Sequence, residues 1–326
     1  MRLNNYQLLS LLVESIESAG WNVLVVDSNK PFRFRVYRDG LRGLNLCVFI
    51  WNCTHGGGAA RAADEYRIQI TGVVPHEDRD ATTLLLGWHG EYEVFGAWDI
   101  RRHEGQDSSS PSAQIREDVL LRAHSHRFSI GSRATGEMVV AFRPEFLIDY
   151  AISSGALHRQ TNHEDFDLLN DVDAITDTQI DSIESEQRRK VVATIVRRYR
   201  AADFRRRVLG AYGNRCAMCG VQLNLIDAAH IVPVASDDSS DATSNGIALC
   251  KLHHAAFDRN LVSFDAEYRI EVSNSELVKL ESKRRHEGSE NFVANLKAAI
   301  LLPNDRRDYP GKRFIELSRQ IRSWRV

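Results

Sequence analysis

The sequence is short of several things, and each shortage removes a class of protein. Among 326 residues there are only five cysteines and seven prolines. Five is an odd number and three of them, Cys216, Cys219 and Cys250, stand at metal-ligand spacing, which argues against a disulfide framework and for a reducing compartment. No apolar run approaches the roughly 20 residues that a membrane span requires. The opening MRLNNYQLLS lacks the basic, apolar and small-residue sections of a signal peptide. The expectation is a cytoplasmic protein with no membrane partner. Net charge is also scarce: 42 Lys and Arg against 44 Asp and Glu give −2, so this is not a protein that simply coats nucleic acid. The chain has no internal repeat.

What is present is a globular composition, 43% hydrophobic and 26% charged, in a chain long enough for two domains. Leu8, Leu9, Leu12, Val13 and Ile16 recur at helical spacing after Asn4 and Asn5, and Gly20 stops that helix. Apolar and β-branched runs follow at 23–26, 32–37, 44–51, 66–71, 83–88, 92–98 and 138–142, punctuated by turn residues. They predict a mainly antiparallel sheet with helices packed on it, hence an α+β fold. A helix is expected over 115–124, and another from Pro144 to about residue 152. Residues 164–186 hold nine acidic side chains and few aromatics, the composition of an exposed linker. The expected organisation is a recognition or sensor domain at 1–160, a linker at 161–187 and a second domain at 188–326.

Past the linker the charge reverses sign. Ten Lys and Arg fall within 188–215, among them Arg197, Arg198, Arg205, Arg206 and Arg207, against the single acid Asp203. Val191, Val192, Ile195, Val196, Tyr199, Phe204 and Val208 form the apolar side of the same helical stretch. A solvated helix face is the ordinary reading of such a run; double-stranded DNA is the partner its charge would suit.

The densest chemistry lies in CAMCGVQLNLIDAAHIVPVASDDSSDATSNGIALCKLHHAAFD, residues 216–258. Cys216 and Cys219 form C-x-x-C, and Cys250 with His253 forms C-x-x-H about thirty residues later. Two such pairs present four soft or borderline ligands to one tetrahedral Zn²⁺. A redox pair is the alternative for Cys216 and Cys219 alone, but no βαβ context surrounds them. His253 and His254 can also exchange duties. His230, Asn245 and His254 are left over by the zinc.

His, Asn and His threaded through a Cys and His knot resemble the HNH nucleases, and the wording is closest to one branch of them. Its Ala-Ala-His-Ile before Pro is matched by Ala228, Ala229, His230, Ile231 and Pro233. Its Asn-Gly strand is matched by Asn245 to Leu249, and its His-His-x-x-Phe-Asp helix by His253, His254, Phe257 and Asp258. The resemblance covers about residues 204–264. It implies a ββα unit folded over a catalytic metal with flanking helices, hydrolysing phosphodiester bonds in DNA. It also implies that His230 is the general base, that Asn245 holds the connecting loop, and that His254 binds a catalytic Mg²⁺ or Mn²⁺. Many HNH nucleases carry Asp or His just before the base as a second metal ligand, where this chain has Ala229. Asp258, one helical turn after His254, is the expected replacement, with Asp227 as the weaker candidate.

Recognition is expected from the first domain, where residues 51–69 combine Gly56, Gly57 and Gly58 with His55, Arg61, Arg67 and Gln69. These side chains could meet phosphate or base edges. Trp51, Trp88 and Trp98 could cage a flipped base, or fill a core. The expected function is a restriction or defence endonuclease reading DNA, modified or not. The alternatives are a nuclease switched on by a ligand or signal sensor, and a zinc protein that binds DNA without cutting it. Cutting both strands implies two copies, a homodimer being the expected arrangement.

Overall fold

The structure is a computed structural model, and it describes the chain except residues 1, 39–40, 57–61, 106–110, 134, 161–167, 171, 173–174 and 325–326. Arg61, most of the glycine run and five of the nine acids of 164–186 therefore lie outside the described residues. No described helix is long and apolar enough to cross a membrane. The chain divides into two compact units, Met1–Tyr199 and Arg200–Val326.

The first unit opens with α1 (Asn5–Ser18), begun by a capping box in which the Asn4 side chain accepts from Gln7 N. Leu8, Leu12 and Ile16, four residues apart, are its buried stripe. There follow β1 (Asn22–Asp27), β2 (Phe32–Tyr37), β3 (Leu44–Asn52), β4 (Thr54–His55), β5 (Glu65–Gln69), β6 (Thr82–His89), β7 (Val94–Trp98), β8 (Ser112–Arg116), α2 (Glu117–His126), β9 (Phe128–Ser132), β10 (Met138–Phe142) and α3 (Leu147–Gln160). Seven of the strands form one sheet in the order β1-β2-β3-β6-β7-β10-β9. Every neighbouring pair is antiparallel except β3 and β6, which run parallel because β4 and β5 occupy the crossover between them. β4, β5 and β8 make a second, three-stranded sheet.

Alternation decides the faces. In β2, Phe32, Phe34 and Val36 are buried while Arg35 and Tyr37 are exposed. Between the two sheets and α2 sits a core of Phe49, Trp51, Ile68, Leu85, Trp98, Ile115, Val119 and Leu120. Trp51, Trp88 and Trp98 are all buried, with Trp51 Nε1 donating to Thr71 O at 3.2 Å and Trp98 Nε1 to Gln114 O at 2.8 Å. All three contribute to the core. Cys47 and Cys53 are free, buried thiols, and burial pushes Cys47 up to about 11.

Two expectations change at this point. The helix expected from residue 115 begins two residues later, because residues 112–116 pair with β5 as a strand before Glu117 opens α2. The acidic stretch is also more than a linker. Leu169, Val172, Ile175, Ile180 and Ile183 are buried, and α4 (Asp177–Asp181) carries its own capping box. Apolar residues spaced among the acids anchor this segment to the first unit. The division between units falls instead within α5 (Glu186–Ala211).

The second unit contains the end of α5, a hairpin of β11 (Ile226–His230) and β12 (Gly246–Cys250), then α6 (Lys251–Asp258), β13 (Val262–Phe264), β14 (Ile270–Val272), α7 (Asn274–Ser282), α8 (Ser289–Ala294) and α9 (Lys312–Ile321). Register pairs Ile226 with Cys250 and His230 with Gly246. Phe204, Val208, Ile247, Leu249, Phe257 and Phe264 are among its core residues.

Gly87, in the middle of β6, lets the smaller sheet approach. A Cβ there would lie 2.4 Å from Ile68 Cγ2 and 3.1 Å from both Cys53 Cβ and Trp98 Cη2. Gly87→Ala is expected to destabilise the first unit by roughly 1–3 kcal/mol through overpacking; an unchanged urea midpoint would show that the sheets do not pack this closely.

Candidate active site and metal centre

Two short strands and an eight-residue helix cannot hold a fixed geometry unaided, and the sulfur cluster beside them supplies a cross-link. Cys216 and Cys219 lie on a tight knuckle closed by Cys216 N donating to Val221 O at 2.9 Å and Gly220 N to Cys216 O at 2.8 Å. Cys250 ends β12 and His253 sits in the first turn of α6. Their ligand atoms all lie within 4.8 Å of one another, with His253 Nδ1 at 3.4 Å from Cys216 Sγ and 3.2 Å from Cys250 Sγ. Tetrahedral zinc, with Zn–S of about 2.3 Å and Zn–N of about 2.0 Å, needs S···N edges of roughly 3.5 Å and S···S edges of roughly 3.8 Å. The donor set therefore fits such an ion. Hydrogen bonding between Cys216 and Cys250 pulls the first thiol well below its ordinary value and pushes the second up, while burial raises Cys219. The sulfurs compete for negative charge, and a dication in their midst relieves that competition. Among the described residues this is the one group of three or more His, Cys, Asp or Glu side chains close enough to share an ion.

His230 ends β11 and is held from two directions. Its ring lies flat on Phe204, with centroids 3.8 Å apart and planes 10° apart. Its Nε2 is 2.9 Å from Asp241 Oδ1, in the loop that leads to β12. That loop is stapled by Asn245, which is fully buried. Asn245 Oδ1 accepts from Val232 N at 2.9 Å, and its Nδ2 donates to Ser240 O at 2.8 Å. One amide thus joins both ends of the loop.

Helix α5 closes over this arrangement because Gly246 has no side chain. A Cβ there would lie 2.2 Å from Val208 Cγ2 and 3.0 Å from Phe204 Cζ. Arg207 bridges the helix and the loop: its Nε donates to Asp203 Oδ2, its Nη1 to Thr243 Oγ1 and its Nη2 to the Asp241 carbonyl, each at 2.6 Å.

His254 and Asp258 share one face of α6, as their spacing requires. His254 Nε2 is 3.5 Å from Asp258 Oδ2, and Asp258 Oδ1 is 3.8 Å from Arg322 Nη2. Both side chains reach solvent, at 27% and 57% exposure, and together they offer an imidazole nitrogen and a carboxylate to a cation. Asp227 has another task. It is buried between Arg205 and Lys251, which both donate to it, so two cations already neutralise it. That removes it as a replacement metal ligand.

The expected DNA-binding arginines divide in the same way. Arg205 also donates to Ile226 O at 3.3 Å and, with Arg207, braces the hairpin. Arg206 pairs with Asp203 at 3.0 Å while staying exposed. Arg197 is exposed on α5, whereas Arg198 Nη1 lies 3.7 Å from Asp149, whose carboxyl burial pushes up to about 6. In the first unit Arg67 and Gln69 share the side of β5 opposite the buried Ile68, and Gln69 Nε2 donates to Pro111 O at 3.2 Å. Asp241 and Phe204 were not among the sequence candidates for the site, and Arg207 was expected on DNA rather than as a brace of the loop. The acid lies eleven residues from His230 across an irregular loop, where neither a helix nor a strand period applies.

Residues 216–265 match the family model described as HNH endonuclease, and residues 44–151 match the one described as Methylase-associated X1. No curated protein matches the chain. Among solved structures, one matching chain is titled "Modification dependent TagI restriction endonuclease". It is 11% identical, the match covers 85% of this chain and 80% of that one, and the TM-score of 0.30 is too low to carry an argument. The second unit therefore contains an HNH endonuclease domain.

Asn245→Ala would leave the buried Val232 N–H without its partner and free the Ser240 carbonyl. The expected loss is roughly 1–3 kcal/mol for the buried donor, read from chemical denaturation. A loss below about 0.5 kcal/mol, the size of an ordinary surface substitution, would show that the loop does not depend on this amide.

Proposed function

We propose that this HNH endonuclease is a divalent-metal-dependent enzyme of a restriction or defence system, acting on double-stranded DNA in the cytoplasm, with the first unit reading the DNA. The observation that carries the reading is the placement of His230 at the end of β11, joined by a stapled loop to the strand and helix that carry the Cys and His cluster. The HNH match over the same residues and the Methylase-associated match over the first unit support it.

In this reading Cys216, Cys219, Cys250 and His253 hold a structural Zn²⁺ with no position left for substrate. His254 and Asp258 hold Mg²⁺ or Mn²⁺, which when bound supplies Lewis-acid stabilisation of charge on the phosphate and the leaving oxygen. His230 takes the proton of the attacking water, and the Phe204 ring keeps the imidazole in one plane. Asn245 keeps the loop from collapsing onto the base. Exposed Arg197 and Arg206 face solvent where a phosphate backbone can approach, with Arg67 and Gln69 contributing in the first unit, while Arg198, Arg205 and Arg207 act first as braces. Two copies acting together would cut both strands.

Wild-type protein is expected to cleave plasmid DNA with Mg²⁺ or Mn²⁺ and to stop in excess chelator. His230→Ala should lower the rate by roughly 10²–10⁴-fold with zinc content unchanged; full activity in that variant removes His230 as the base. Matched unmodified, methylated and hydroxymethylated substrates, followed by end sequencing, test the reading role of the first unit. Equal cleavage of all three would assign it a role other than sensing base modification. Cys219→Ser is expected to lose the zinc and lower the melting temperature, and an unchanged zinc stoichiometry by elemental analysis would count against the four-ligand site.

A further inference from the structure

We propose that Asp241 is a positioning residue that fixes the tautomer and orientation of His230, leaving Nδ1 as the nitrogen that accepts the proton of the attacking water. The inference rests on the nuclease reading above and adds a residue to it.

The geometry fixes the roles of the two ring nitrogens. A carboxylate only accepts hydrogen bonds, so at 2.9 Å from Asp241 Oδ1 the His230 Nε2 must carry the hydrogen. In a neutral imidazole the other nitrogen then holds the lone pair. Phe204 covers one face of the ring, so the imidazole cannot swing to exchange the two nitrogens without leaving that stack. Asp241 is itself held in place. Its carbonyl accepts from Arg207 Nη2, Thr243 two residues on accepts from Arg207 Nη1, and the carbonyl of Ser240 just before it accepts from Asn245. Asp241 also stays ionised. The hydrogen bond from His230, then the fields of Arg207 and Arg200, hold its carboxyl below the ordinary value against the opposing effect of burial.

In the reaction, water gives a proton to His230 Nδ1 as its oxygen forms a bond to phosphorus. The bond from phosphorus to the leaving 3′ oxygen breaks, and that oxygen departs with the electron pair and takes a proton from solvent. The imidazolium that forms is paired with a carboxylate already in place, so positive charge develops where a negative one waits.

The test uses the full-length protein and two readouts. In ¹⁵N-histidine-labelled wild type, with the His230 signals assigned by comparison with His230→Ala, the ring should be the tautomer protonated at Nε2. In Asp241→Ala that preference should be lost. On plasmid DNA, Asp241→Ala and Asp241→Asn should lower kcat on the order of 10–10²-fold. The KM for DNA, the Mg²⁺ half-saturation, the zinc content and the melting temperature should not change, and Asp241→Glu should restore part of the rate. Activity within two-fold of wild type, or an unchanged tautomer in Asp241→Ala, overturns the proposal. A raised Mg²⁺ half-saturation also overturns it, because Asp241 would then be a metal ligand. If wild type cleaves no DNA with any divalent ion, the nuclease reading fails, and the tautomer measurement still decides what Asp241 does to His230.

Discussion

The second unit gathers four metal-ligand side chains at one point. A hairpin of two five-residue strands and a helix of eight residues buries too little to hold its own shape. The four side chains that converge at the end of β12 and the start of α6 tie the knuckle, the strand and the helix to one point. An ion held there would convert binding energy into folding energy. The knuckle is held by backbone as well, since Ala217 N donates to Ala248 O and Leu301 N to Ala217 O, so the cross-link connects parts that already touch.

Around that point the loop from His230 to Asn245 is shaped by polar groups rather than by apolar packing. Asn245 satisfies a donor at one end and an acceptor at the other, and Arg207 reaches across from α5 to the middle. Gly246 allows the helix to lie close enough for Phe204 to stack on His230. Buried donors and acceptors cost more unpaired than they contribute paired. These bonds hold the loop from which Asp241 reaches His230.

Much of the site was legible in the sequence. The spacing of Cys216, Cys219, Cys250 and His253 marks ligands because each pair lies on one short turn, and local spacing is something a sequence displays. Most strands of the first unit were legible for the same reason, since alternation is local; β4, β8 and β9 escaped because Thr54–His55 is too short for a period, Ser112–Arg116 runs straight into a helix, and Phe128–Ser132 mixes small and polar residues with apolar ones. The arginines were harder. As letters Arg197, Arg198, Arg205, Arg206 and Arg207 form one basic run, yet the fold gives Asp227 to Arg205, Asp149 to Arg198 and the loop to Arg207. Partners distant in the chain decide which cations face solvent.

The sequence by itself marked Cys216, Cys219, Cys250 and His253 as one ligand set, because each pair depends on residue type at short separation, and its resemblance to the HNH nucleases supplied the ββα order and the roles expected of His230, Asn245 and His254. Only the tertiary structure decided that three tryptophans fill a core and that Asp227 is neutralised by two cations. It also decided that Asp241 lies against the base. Those outcomes depend on which segments the fold brings within about 3 Å of one another, a distance that no periodicity along the chain encodes.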